Sequence, residues 1–236
     1  METSVAHTAK MRKTLIVAVS AFIVLAVVVA MIPLFRALMQ GGGVKTEGID
    51  ASRVSAASTD VDGEWQVTNK PGSNFSSAGF TFDEVLPGER RSTSASTKDV
   101  SGFATVTEGT LTAGEIVVDM QHLSSDSDKR DESVRRRIFH TDEYPEATFT
   151  VTQPADIADM PDDGTVGSVE LTGDLTIHGT TNQITQRFDV ARSDDRIIVA
   201  GDIPINRLDY GVETPELVAA KINEEGEVNV RVNLTK

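Results

Sequence analysis

Two hydrophobic patterns divide the chain. Near the start, "TLIVAVSAFIVLAVVVAMIPLF" (Thr14–Phe35) contains no charged residue, and at about 1.5 Å per residue it makes about 33 Å of helix against a hydrocarbon core of about 30 Å. From Glu64 onward the apolar residues instead alternate with polar ones in short runs: "EWQV", "GFTFDEV", "GFATVTEGTLTAGEIVVDM", "ATFTVTQ", "SVELTGDLTIHG", "ITQRFDVARS", "RIIVAGDIPI" and "EVNVRVNL". Gly, Asp, Asn and Pro separate them, so about eight strands are expected, pairing antiparallel because the gaps are mostly too short for crossover helices. An all-β barrel or sandwich follows.

One stretch breaks the alternation. In "SDSDKRDESVRRRIFHTDEYPEATF" (Ser125–Phe149), Asp126 or Ser127 can cap a short helix, with acids in its early turns and Arg135, Arg136 and Arg137 in its last. Asp131 with Arg135 and Glu132 with Arg136 are spaced as i,i+4 pairs, and Val134 with Ile138 offers an apolar face to the barrel. Pro145 ends the segment before the next strand begins at Ala147.

Charge sets the orientation of the apolar helix. Lys10, Arg12 and Lys13 precede it and Arg36 follows, which places residues 1–13 in the cytoplasm, 14–35 across the membrane and the rest outside. The apolar run exceeds the 7–15 residues of a secretory signal core and lacks a clean A-x-A site, favouring an uncleaved signal anchor. Residues 36–63, rich in Gly, Ser, Ala and Asp, read as a flexible tether, and 64–236 as the folded domain. Localisation is therefore expected at the cell membrane, single-pass, with the C-terminal domain extracytoplasmic. A net charge of −14 argues against nucleic-acid binding. The absence of cysteine removes disulfides, thiolate chemistry and acylated anchors.

Three segments in series resemble the YceI family: "LSSDSDKRDESVRRRIFHTDEYPEATF", "GDLTIHGTTNQITQRFDV" and "INRLDYGV". The resemblance implies an extended, lipocalin-like eight-stranded antiparallel barrel whose apolar tunnel binds a long polyisoprenoid, such as a polyprenyl phosphate or an isoprenoid quinone. It implies a lipid-binding protein and not an enzyme, usually exported. Its signature residues here are Asp128, Arg130, Asp131, Pro145, Phe149, His178 and Gly179; Arg130 and Asp131 are expected to brace the helix and its loop. The stretch "FTFDEVLPGERRSTSASTKDVSGFATVTEGTLTAGE" resembles the elaborated first hairpin of the membrane-anchored, actinobacterial-type members.

Strand parity supplies the tunnel candidates: Ile116, Val118 and Met120; Phe149 and Val151; Leu175 and Ile177; Phe188 and Val190. The same residues serve equally as the core of a filled barrel, and only the resemblance implies a cavity. Metal binding is not expected, because His122, His140 and His178 lack the spacing of a zinc site; His140 and His178 are read as hydrogen-bonded structural residues. No cofactor beyond the isoprenoid is expected. Two alternatives stand beside the carrier: a ligand-free structural envelope module, and a hydrolase using His140, Asp142 and Glu143. Arg135–Arg137 as a phosphate clamp is the lesser reading of that cluster. Homodimerisation is left open.

Overall fold

A computed structural model of the chain describes residues 44–86, 89–214 and 221–236. The segments expected from sequence to be cytoplasmic (1–13) and membrane-spanning (14–35), and the first part of the expected tether, lie outside these residues. No helix among the described residues is long and apolar enough to cross a membrane.

Eight antiparallel strands close a ring: β1 (Gly63–Val67), β4 (Val100–Thr107), β5 (Thr110–Asp119), β6 (Glu146–Val151), β8 (Gly167–Ile177), β9 (Thr180–Ser193), β10 (Arg196–Asn206) and β11 (Lys221–Thr235). The closing seam is short, joining only Gln66 to Thr235 and Val67 to Leu234. Above it, β11 pairs instead with β2 (Ser77–Leu86), which pairs with β3 (Glu89–Thr97). This hairpin continues the wall where β1 has ended. A two-residue strand, β7 (Ala155–Asp156), adds to the edge of β5. The period-2 alternation is clean where one face meets the lumen and the other meets water: along β8, Leu171, Gly173, Leu175 and Ile177 are buried and their neighbours are not.

The short helix α1 is Asp128–Ser133. It loosens into a wider turn over Val134–Ile138, where the Phe139 amide bonds the Val134 carbonyl, five residues back, at 2.9 Å. Three details differ from the expected helix. Ser127 makes no side-chain cap. Arg135 donates to the Leu123 carbonyl at 2.7 Å rather than pairing with Asp131. Asp131 is buried, 6% exposed, and accepts from the Ser125 amide at 2.8 Å and hydroxyl at 2.6 Å. Of the two expected i,i+4 pairs only the exposed Arg136–Glu132 forms, at 3.2 Å; Arg130 makes a further one with Asp126.

The tether reading also needs correction over its second half. Residues 44–62 lie along the outer surface of the barrel as a strap. Glu47 and Gly48 carbonyls accept from Arg231, the Asp50 amide donates to Asn74, and the Ser55 amide donates to Ser193. The Ala57 and Ser58 amides donate to the Asp162 and Asp194 carbonyls, and Arg192 reaches the Thr59 carbonyl. Ala191, Ile198, Ala200 and Asn233, whose parity points away from the lumen, are consequently buried.

Candidate binding cavity

The lumen is lined almost wholly by apolar side chains and holds a cavity of about 170 Å³. Eight of the nine residues chosen by strand parity border it: Ile116, Val118 and Met120 from β5 and the turn after it, Phe149 and Val151 from β6, Leu175 and Ile177 from β8, and Phe188 from β9. Val190 is buried but lies outside the lining. It stands in register with Gly167 of β8 and Val199 of β10. Parity gives the side a residue faces, not its height in the barrel.

Two glycines keep the rings off the lumen axis. A Cβ on Gly173 would come within 2.6 Å of the Phe149 ring, and one on Gly201 within 2.8 Å of the Phe188 ring. Each ring therefore lies against the neighbouring strand's backbone, and the two rings sit 6.0 Å apart. A space of about 170 Å³ is close to the roughly 150 Å³ apolar cavity that stays dry and takes a benzene-sized guest. The lumen is thus a narrow apolar slot.

At the other end, α1 and its wide turn cover the barrel. Phe139 stacks on Phe80 of β2, centroids 5.2 Å apart. Tyr210 and Val212, from the turn after β10, also line the cavity. Burial pushes the Tyr210 phenol above its usual value, against the opposing effect of the Asn182 amide, so it stays neutral. Between the helix and β2 lies a second chamber of about 290 Å³, lined in part by Phe80, Phe82, Phe139, Arg207 and Val212, which line the first cavity as well.

The signature residues surround this end without lining the first cavity, Phe149 excepted. Arg130 pairs with Asp126 and reaches the Ser125 hydroxyl at 3.5 Å. Asp128 sits exposed in the first turn of α1. The Pro145 carbonyl accepts from the Met120 amide at 2.8 Å. Gly179, at φ +73°, has the Tyr144 ring directly over it, so any side chain there would strain the backbone and strike the ring. His178 differs from its expected hydrogen-bonded role. Its Nε2 is buried with no partner, and its ring packs against Tyr144 at 4.4 Å and His140 at 5.5 Å.

Asp131→Ala is expected to lower stability by about 3 kcal/mol, because a buried carboxylate leaves and two donors are orphaned. Arg136→Ala should cost less than about 1 kcal/mol, since its pair is exposed. Urea denaturation of both variants checks this; equal effects would mean that Asp131 does not brace the helix.

His140, Asp142 and Glu143 stand exposed on a turn, and none lines either chamber. Among the described residues, Asp99, Asp119 and His122 come close enough to share an ion, with His122 Nδ1 at 2.9 and 3.0 Å from the two carboxylates. His122 and Asp99 are exposed, and Asp119 already caps the Gln121 amide. Of the arginine run, Arg135 and Arg136 are engaged elsewhere, and Arg137 alone borders the second chamber. Sequence reasoning missed Arg207 and Thr93. The first lies within "INRLDYGV", in the turn after β10, where no alternation marks it; the second lies in β3, whose Ser/Thr run shows no hydrophobic alternation.

The family model described as YceI-like domain matches residues 65–234. A curated relative, UPF0312 protein VPA0850 of Vibrio parahaemolyticus, is 38% identical over 71 residues, which are 30% of this chain and 34% of that protein. The chain therefore spans about a third of that relative's length. Among solved structures, a polyisoprenoid binding domain from Saccharophagus degradans, implicated in plant cell wall breakdown, superposes with a TM-score of 0.53 at 18% identity, covering 72% of this chain and 97% of that one. BcnA of Burkholderia cenocepacia gives 0.50 at 20% identity over 65% and 95%. These two likenesses are of fold.

Proposed function

Because the chain belongs to the YceI-like family, we propose that it binds and carries a long isoprenoid lipid, the tail held in the barrel and the domain held outside the cytoplasm by the segment at 14–35. The carrying observation is the closed barrel's apolar lumen, adjoined by a second chamber at the helix end. The Saccharophagus degradans domain, described as polyisoprenoid binding, shares the fold and supports the same class of cargo. Burial of apolar tail surface at about 25 cal/mol per Å² is sufficient for tight binding without any reactive group. The protein is read as a binding protein, with chemistry left to others. The cavity's small volume is the observation that favours the competing reading, a packed barrel with a structural role.

Native mass spectrometry of the detergent-solubilised full chain, taken from a host that makes polyprenols, decides between them. The carrier is expected to hold a lipid of discrete mass. A protein that arrives empty, and takes up neither a polyprenyl phosphate nor an isoprenoid quinone on reloading, is a packed barrel. Resistance to alkaline carbonate extraction is expected of the anchor; a mature N-terminus between Ala30 and Gly43 would indicate cleavage instead.

A further inference from the structure

The second chamber differs from the first in its chemistry. Among the described residues, Arg130, Arg137 and Arg207 border it against a single carboxylate, Glu84. This is a local excess of positive charge in a chain of net charge −14. Arg207 is 8% exposed and donates to two carbonyls, Val212 at 2.6 Å and Asn223 at 3.2 Å, but among the described residues no carboxylate pairs with it. Arg137 has no side-chain partner among them either. Only Arg130 is matched, by Asp126. A buried guanidinium bonded to carbonyls alone keeps an uncompensated charge, which a low-dielectric site penalises unless an anion is near.

A second observation is independent of charge. Thr93, on β3, is 5% exposed and lines this chamber, yet its Oγ1 has no hydrogen-bond partner. Buried hydroxyls are nearly always bonded, so an orphan facing a cavity marks a place where a ligand atom belongs. The chamber also shares Phe82, Phe139 and Arg207 with the apolar lumen, so the two spaces adjoin.

We infer that this chamber holds the phosphate headgroup of the isoprenoid whose tail lies in the lumen, with Arg207 and Arg137 supplying charge and Thr93 Oγ1 donating to a phosphate oxygen. The inference rests on the carrier reading and adds a preference for an anionic over a neutral head. Guanidinium forks suit phosphate oxygens geometrically, and a low-dielectric pocket strengthens each such bond.

The test measures binding of three lipids to the full-length protein: a polyprenyl phosphate, the polyprenol of equal length, and an isoprenoid quinone. The phosphate is expected to bind at least about tenfold more tightly than the polyprenol, with the margin narrowing as salt rises. Arg137→Gln and Thr93→Val should each reduce that margin severalfold. Arg207→Gln should abolish the margin, but Arg207 also holds two carbonyls; the other two substitutions keep the test sound if it fails to fold. Thr93→Val, which removes an orphan hydroxyl, should not lower the melting temperature of the empty protein.

Equal affinity for all three lipids would overturn the headgroup site and leave the carrier standing. Failure of every isoprenoid to bind would overturn both. Inorganic phosphate alone is expected to bind at least about a hundredfold more weakly than the lipid phosphate; equal binding would make the chamber a site for a free anion.

Discussion

Val118→Trp on β5, and separately Val230→Trp on β11, should yield a folded barrel that purifies without lipid. Both valines line the cavity and are only partly buried, because each borders empty space. They stand on strands of different wall segments. Val118 is in register with Val100 and Ala147, and Val230 with Gly201 and Ala78, so small neighbours flank each position. An indole there fills the slot. Overpacking costs about 1 to 3 kcal/mol, which a domain with the usual 5 to 15 kcal/mol survives. The ligand loses far more: excluding about 200 Å² of tail contact forfeits about 5 kcal/mol, more than a thousandfold in affinity. Val118→Ile is the control and should retain cargo. Native mass spectra that show the same lipid on both tryptophan variants would place the ligand somewhere other than the lumen.

Strand alternation carried most of the fold because, in a barrel whose outer face meets water, side determines polarity. It failed where that condition failed. The run "ERRSTSAST" of β3 has both faces covered: Ser94 and Ser96 are buried on one, Thr93 and Ala95 on the other, so no alternation marks it as a strand. Helix spacing had a related limit. Asp131 and Arg135 are four apart, which permits a pair on a regular exposed helix. A buried carboxylate takes the nearest donors, here the Ser125 amide and hydroxyl, and the chain widens after Ser133, leaving Arg135 to the Leu123 carbonyl. Arg207 stayed hidden for a third reason. Its partners are backbone carbonyls brought close by the turn after β10, and carbonyls have no letter in a sequence.

The strap was invisible on the same ground, and shortening the chain to the point where the strands begin should expose its contribution. A chain beginning at Asp62 is expected to be less stable than one beginning at Val44 by on the order of 3 to 5 kcal/mol, since net hydrogen bonds of about 0.5 to 1.5 kcal/mol each are lost along its whole length. The largest share comes from Arg231. It is 7% exposed, donates to the Phe75, Glu47 and Gly48 carbonyls, and lies 4.8 Å over the Phe75 ring. Removing Glu47 and Gly48 leaves this cation, whose pKa burial already lowers, with one carbonyl. The outer faces of Ala191, Ile198 and Ala200 would meet water at the same time. Lys236, which donates to the Asp60 and Asp62 carbonyls at 2.7 and 2.6 Å, would lose one of its two anchors beside Trp65. Urea denaturation of the two chains measures the difference, and Arg231→Met in the longer chain should reproduce much of it. Equal midpoints would show that residues 44–61 rest on the barrel without stabilising it, returning them to the role of a tether.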